Sequence, residues 1–404
     1  MNKTPTLRFK GFNNCWNLKK ICELFDIITD FVAAGSFESL RNNVVYKQNP
    51  DFAQLVRTMD LKNRFTSKDF VFVDESAFKF LHRVNLNEQS IVLPNIGANI
   101  GEVYFINPSI LPYKNNVLGP NAILLKSKSN NIAFLNYLLC CSNYRMQLKE
   151  NVGASGQPKF NKTELKNFIF FTPSLEEQTK IATFLSAVDS KITSLERLVS
   201  HWQAYKKGIM QQIFTQQLRF KAPNGEDFPE WESKTLGSMV KIIMGQSPDS
   251  NAYNTDGVGL PLIQGNADCE NRFTKPRFYT SQVTKKCSVG DIIMTVRAPV
   301  GAVSKSLHNA CIGRGVCAIT NSNDYIYQYL LMFEDKWGKL SQGSTFTAVN
   351  SDDIKGLHIP APCKEEQTKI ANFLSSLDDK IAHLQQQLTS YRQFKKALLQ
   401  QMFV

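Results

Sequence analysis

The chain has 404 residues, 43% of them hydrophobic and 20% charged, and a formal net charge of +12. That length is too great for one hydrophobic core and suits two domains of about 150 to 175 residues with connecting elements. Without an apolar run of about 18 residues or a basic-then-apolar leader at Met1, neither membrane insertion nor export is expected, and nine scattered cysteines with no Cys-x-x-Cys point to a reduced, cytosolic protein without a zinc site.

The opening segment, Leu7-Arg8-Phe9-Lys10 followed by Trp16, returns as Leu218-Arg219-Phe220-Lys221 followed by Trp231. From Ile21 to Phe171 short apolar runs alternate with turn residues, which predicts strands with a few helices. Ser90 to Gly101 reads as one strand and turn, and Gly290 to Gly301 as its counterpart, aligned on the final glycine. Asn131 to Leu148 reads as a helix, with Tyr325 to Leu340 in the same slot of the second half. Asn107-Pro108-Ser109-Ile110 reads as a turn. A last strand ends at Pro173 in one half and at Pro362 in the other.

Two long helices follow from periodicity. Residues 176–214 and 365–403 match at 19 of 39 positions at a constant offset of 189, including Glu-Glu-Gln-Thr-Lys-Ile-Ala, a lone Asp and a Lys-Lys pair. Apolar residues fall at Ile181, Leu185, Val188, Ile192, Leu195, Val199, Trp202, Ile209 and Ile213, and again at Ile370, Leu374, Leu377, Ile381, Leu384, Leu388, Tyr391, Leu398 and Met402. Steps of four and three mark a heptad seam, and at about 1.5 Å per residue each helix runs roughly 60 Å. Lys206 and Lys395 interrupt the seam at the same place and read as register marks. Ser174 ahead of Glu177 predicts a capping box. A seam this long needs a partner, and the obvious one is its twin, paired antiparallel about a pseudo-twofold axis.

Charge is uneven along the chain. Residues 1–175 hold 21 basic against 13 acidic side chains, whereas 216–363 hold 15 against 14. Within the second half, however, Arg272 to Arg314 holds eight basic residues and one acid, and in the first half Arg41 to Lys68 holds six against two. Local excess of this kind is the footprint of a polyanion-binding face, although a solvated surface that happens to be basic gives the same count. Motifs for bond-breaking chemistry are missing: no phosphate-cradling Gly-x-x-x-x-Gly-Lys-Ser/Thr, no Gly-x-Gly-x-x-Gly after a strand, and five isolated histidines. No cofactor and no metal are expected.

Side chains suited to reading bases are present. Arginine is the natural bidentate partner of guanine, and asparagine or glutamine of adenine. Candidates in the first half are Arg57, Lys62, Arg64, Asn95, Asn99 and Gln157; in the second they are Gln264, Asn266, Arg272, Lys275, Arg277, Arg297, Arg314, Ser344 and Thr345. Any single one could equally be a phosphate or surface contact. At the same offset residues 153–173 agree with 342–362 only at Ser155, Asn161, Lys166 and Pro173, four of 21 positions, and this divergence of the domains, against the sameness of the helices, suits two different reading surfaces on two like mounts. Drift after duplication explains the divergence but not the basic loops.

With the repeat, the heptads and the missing catalytic motifs, the chain resembles the specificity subunit of bacterial type I restriction-modification systems over its full length. The most specific carrier is the twice-used Pro-x-x-x-Glu-Glu-Gln-x-Lys-Ile-Ala-x-Phe-Leu, at Pro173 to Leu185 and Pro362 to Leu374. The resemblance implies an α+β fold with target recognition domains at 1–175 and 216–363, separated by spacer helices at 176–215 and 364–404 that form an antiparallel coiled coil. It further implies double-stranded DNA, two methyltransferase subunits and motor-nuclease subunits as partners, and a subunit without catalytic residues of its own. The near-neutral balance of the second domain departs from that expectation. Two other readings stay open: a coiled-coil scaffold that ignores DNA, and a stand-alone methyltransferase or nuclease with unfamiliar motifs.

Overall fold

A computed structural model describes residues 4–152, 158–341 and 348–404. The chain forms two compact units, residues 1–194 together with 387–404, and residues 195–386. Each unit therefore contains one α/β domain and a stretch of both long helices, which span Leu175–Phe214 and Lys364–Gln401.

In the first unit a four-stranded antiparallel sheet runs in the order Ile27–Asp30, Ala122–Lys126, Ser90–Pro94, Tyr104–Ile106. A three-stranded sheet places Ala53–Val56 between Val71–Val73, antiparallel, and Asn116–Leu118, parallel. The unbroken apolar runs predict this burial: every residue of Ser90–Pro94, Ala122–Lys126 and Asn116–Leu118 is buried. In the second unit the same two patterns recur. Ile242–Met244, Val316–Ile319, Ile292–Thr295 and Val303–Lys305 repeat the four-stranded order, and Leu260–Ile263 lies between antiparallel Phe278–Thr280 and parallel Ala310–Ile312. The duplication thus reaches the sheet topology, where the sequence match had thinned out. The second unit also extends its sheets with short strands, among them Cys269–Glu270 and Phe273–Thr274, which flank Arg272.

The aligned glycines have a common cause. Gly101 at φ +72° and Gly301 at φ +85° adopt left-handed backbone, and a Cβ there would lie 2.0 Å from Leu148 and 2.1 Å from Trp337. The helix expected over Asn131 to Leu148 is instead two, Ile132–Leu139 and Ser142–Asn151, because Cys141 is extended. The break carries the second helix around so that Tyr144 buries against Phe168, with ring centroids 6.1 Å apart. Tyr325–Ser341 is one helix, as expected. Pro108–Ile110 forms a single 3-10 turn capped by Asn107.

The long helices run antiparallel within each unit. In the first, Asp189 pairs with Lys395 and Lys191 lies 6.0 Å from the Tyr391 ring centre. In the second, Lys206 pairs with Asp378. The seam residues Ile181, Leu185, Val188, Ile192, Leu195, Val199, Ile370, Leu374, Leu377, Ile381, Leu384 and Leu388 are buried, and Trp202 and Tyr391 are half-buried. One position departs from the periodic reading. Met210 is buried where Ile209 was expected, so the buried line after Lys206 steps by four to Met210 and then by three to Ile213.

The capping box is also replaced. The Glu177 backbone N–H donates to the Ser174 hydroxyl at 3.4 Å, but the Glu177 carboxylate accepts from Arg8 Nε and Nη2, both at 2.7 Å, and from Trp16 Nε1 at 3.4 Å. A bidentate guanidinium outcompetes a backbone amide for a buried carboxylate. The second unit repeats the arrangement: Arg219 Nη2 and Trp231 Nε1 donate to Glu366 Oε2 at 3.1 and 2.8 Å. The next residue holds the turn before each helix, Gln178 Nε2 donating to the Pro173 carbonyl at 3.1 Å and Gln367 Nε2 to that of Pro362 at 2.9 Å. Glu-Glu-Gln is therefore a structural joint between the opening segment, the last strand and the helix.

Candidate nucleic-acid interface

The basic stretch Arg272 to Arg314 looks different once folded. Arg272 donates to both Glu334 oxygens, one at 2.9 Å, and to the Val303 carbonyl at 3.2 Å. Arg277 pairs with buried Asp268 at 2.8 Å, Lys275 with Glu270, and Lys305 with Asp324 at 2.6 Å. Four of the eight cations are thus balanced by carboxylates that lie outside the stretch in sequence. Arg297 and Arg314 have no carboxylate partner among the described residues, and both are exposed.

These two arginines line one cleft of about 440 Å³ together with Gln264 and Asn266. Four of the predicted base readers, separated by up to 50 positions in sequence, therefore meet in one place. The neutral hydrogen-bonding groups of Ser247, Ser250, Tyr253 and Thr295 also line it, and no Asp or Glu among the described residues does. These four escaped the sequence reading; the turn signal at Gly245-Gln246-Ser247-Pro248 could have drawn attention to the first of them.

The cleft is built from strand ends. Gln264 follows Leu260–Ile263, and its N–H donates to Asp268 Oδ2 at 2.8 Å, the carboxylate whose other oxygen accepts from Arg277. Arg297 follows Ile292–Thr295 and bridges Ala348 through its backbone. Arg314 sits at the tip of Gly313-Arg314-Gly315, between Ala310–Ile312 and Val316–Ile319. The Gly313 N–H donates to the Ile263 carbonyl at 2.8 Å, the Arg314 N–H to the Ser247 hydroxyl at 3.1 Å, and the Val296 N–H to the Gly315 carbonyl at 2.9 Å. A Cβ on Gly315 would meet the Gln264 carbonyl at 2.1 Å, so glycine alone allows the tip to press this closely.

In the first unit the candidates fall into two groups. Lys62 donates to the Asn99 side-chain oxygen, which joins the end of helix Thr58–Lys62 to the turn before Gly101, and Arg64 stands just beyond that helix with left-handed backbone at φ +48°. Arg57, by contrast, is engaged with Asp60 at 2.9 Å and with Asp69, and Asn95 donates to the Phe160 carbonyl at 3.2 Å. Gln157, Ser344 and Thr345 lie outside the described residues. All nine cysteines are free thiols. No helix among the described residues is long and apolar enough to cross a membrane.

The type I restriction modification DNA specificity domain matches residues 13–199 and 229–390. The chain belongs to the type I restriction-modification DNA specificity family. It is 32% identical over 384 residues, 90% of this chain and 89% of the other, to a protein named as the type I restriction enzyme MjaX specificity subunit of Methanocaldococcus jannaschii. The MjaVIII specificity subunit of the same organism is 25% identical over 354 residues, 81% and 82% of the two chains. In fold this specificity subunit is similar to the crystal structure of the type I restriction-modification S subunit from M. genitalium, with a TM-score of 0.63 at 16% identity over 100% and 99% of the chains. A chain from a structure of type I restriction-modification complex assembly gives 0.58 at 21% identity over 96% and 97%. The family accounts for the two matched segments as two specificity domains in one chain.

Proposed function

We propose that this specificity subunit reads a split, asymmetric DNA site, with residues 1–175 taking one half and residues 216–363 the other. The helices at 176–215 and 364–404 set the gap and carry the docking surfaces for two methyltransferase subunits, which motor-nuclease subunits join. Methylation and cleavage belong to those partners, and this chain contributes recognition without a catalytic residue, in the cytoplasm. The observation that carries the reading is the contrast between mounts and surfaces. The Arg-Glu-Trp joint and the Asp-Lys pair occur twice, whereas the cleft of Arg297 and Arg314 differs from the Lys62, Arg64 and Asn99 loop surface of the first unit. A site split between unlike readers is asymmetric, and loops on strand ends suit major-groove base edges.

The test is a domain exchange in the assembled complex. Replacing residues 1–175 with the corresponding segment of another specificity subunit changes one half of the methylated motif and leaves the other half and the gap intact. A change in both halves defeats the proposal. Against the scaffold reading, the complex shifts a DNA duplex in a gel at low salt and loses it steeply as salt rises.

A further inference from the structure

We infer that the cleft of Arg297 and Arg314 reads a guanine, so that the half-site taken by residues 216–363 contains a G·C pair whose O6 and N7 face Arg314. The inference rests on the proposed function and narrows it to one base and one side chain.

Three observations carry it. First, the cleft offers two guanidinium groups and, among the described residues, no carboxylate, so its charged groups present only donors to a ligand. Cytosine N4 is a donor in the major groove and would need an acidic partner, whereas guanine shows two adjacent acceptors that a guanidinium fork meets with two bonds. Second, among the arginines of the stretch from Arg272 to Arg314, these are the two that the fold leaves without carboxylates among the described residues, while Arg272 and Arg277 are spent on Glu334 and Asp268. Third, the tip that carries Arg314 is fixed from several sides, Gly313 by the Ile263 carbonyl, Arg314 itself by the Ser247 hydroxyl and Gly315 by the Val296 amide, with Gly315 pressed on the Gln264 carbonyl. A phosphate contact tolerates a mobile cation, because it carries no sequence information. A bidentate base contact needs a side chain whose root does not move, and the tip supplies that root. Arg297 enters from the adjacent strand end, and Gln264 and Asn266 line the same cleft.

The experiment uses the chain assembled with its methyltransferase subunits. The methylated motif of a host expressing the complex gives the site, and exchange of residues 216–363 identifies the half read by the second domain. Synthetic duplexes then carry 7-deazaguanine, which lacks the N7 acceptor, at each guanine of that half in turn. Wild-type complex loses on the order of 10- to 100-fold in affinity at one position. The Arg314→Ala complex shows at least this loss on unmodified DNA, because it gives up the O6 contact as well, and no further loss from 7-deazaguanine at that position, and Arg314→Lys, which keeps the charge but not the planar fork, does not restore wild-type affinity. Three results overturn the inference: a half-site with no guanine in either strand, no sensitivity to 7-deazaguanine, or an Arg314→Ala complex that weakens equally on all sequences with Arg314→Lys fully rescuing it. The last would make Arg314 a phosphate contact and leave the proposed function standing. Loss of all sequence preference in the wild-type complex would instead sink the proposed function itself.

Discussion

Lys206 Nζ lies 2.6 Å from Asp378 Oδ1, and Lys395 Nζ lies 2.6 Å from Asp189 Oδ1. Each residue of one pair stands 189 positions from its counterpart in the other, so a single contact is made twice, once in each compact unit. The lysine that breaks the apolar seam and the lone Asp shared by the repeats are partners. Each Asp also accepts from the domain helix beside it, Asp189 from the Tyr137 hydroxyl and Asp378 from Gln328 Nε2, both at 2.8 Å. The pair therefore ties helix to helix and helix to domain. A charge on a heptad seam lowers stability but admits few registers, and here only the one that brings Asp to Lys satisfies it.

Asp378→Ala is expected to lower the stability of the second unit by about 2 to 4 kcal/mol, because Lys206 is buried and would lose its counter-charge. Lys206→Met is expected to cost less, since Asp378 keeps solvent and Gln328. The exchanged pair Lys206→Asp with Asp378→Lys recovers part of the loss. Urea unfolding of the three variants checks the order; a Lys206→Met variant less stable than Asp378→Ala would contradict it.

Glu366→Ala is expected to release the opening segment of the second half. Glu366 is fully buried and accepts from Arg219 and Trp231, so its removal leaves the indole N–H without this acceptor and takes the buried counter-charge from Arg219, which keeps the Phe228 and Pro229 carbonyls and Glu230, costing about 2 kcal/mol. Glu366→Gln keeps one acceptor for Trp231 and should cost less. Hydrogen exchange over residues 218–231 rises in both variants, more in the alanine one. Unchanged exchange there would show that the joint is held by other contacts.

Much of the frame was legible in the sequence because helical periodicity and internal repetition are local signals. The antiparallel pairing followed from two seams of equal length in one chain. The capping box did not survive, because Glu177 answers Arg8 from 169 positions away, and such a partner leaves no mark in the window where the box is read. The partners of the basic stretch were hidden as well: Glu334 and Asp324 lie beyond its end, and Asp268 and Glu270 just before its start, outside the span over which its charge is counted. The residue types in the cleft were recognisable one by one, but their convergence depends on strand order, which thin similarity between the halves hid. The two-helix break at Cys141 was likewise invisible to a pattern of apolar residues that continues across it.

Alkaline pH should weaken the fold in a defined window. Burial pushes the Cys317 thiol up to about 12 and the Cys140 thiol up to about 11, and it also raises Tyr144 and Tyr325. The unfolded chain releases these thiol protons near the ordinary cysteine value of about 8.5. Above that pH the native state binds more protons than the unfolded state, so stability falls as pH rises toward the folded values. Burial pushes Lys206 the other way, against its bond to Asp378, and contributes a smaller opposite slope just below the ordinary lysine value. Urea midpoints for wild type and Cys317→Ala at pH 7.5, 9 and 10.5 test this. The variant begins lower, from its lost volume, and falls less between 9 and 10.5; parallel curves would refute the assignment to Cys317.

Salt dependence separates cations that touch phosphate from cations already matched within the fold. The slope of log affinity against log salt falls by about 0.9 for each phosphate contact removed. Lys62, at the end of its helix, and Arg297, beyond its strand, are exposed with no carboxylate partner among the described residues, whereas Lys275 and Lys305 face Glu270 and Asp324. In the assembled complex, Lys62→Gln and Arg297→Gln are therefore expected to reduce the slope, each by about one unit or less. Lys275→Gln and Lys305→Gln leave it within error, and Lys305→Gln lowers stability instead because Asp324 loses its partner. Binding titrations between about 50 and 200 mM salt span the range in which a protein with several phosphate contacts loses orders of magnitude in affinity. Equal slopes for all four variants would mean that ion pairing in the free chain does not decide which cations meet the duplex, and the division between the cleft and its neutralised surroundings would then have no bearing on DNA.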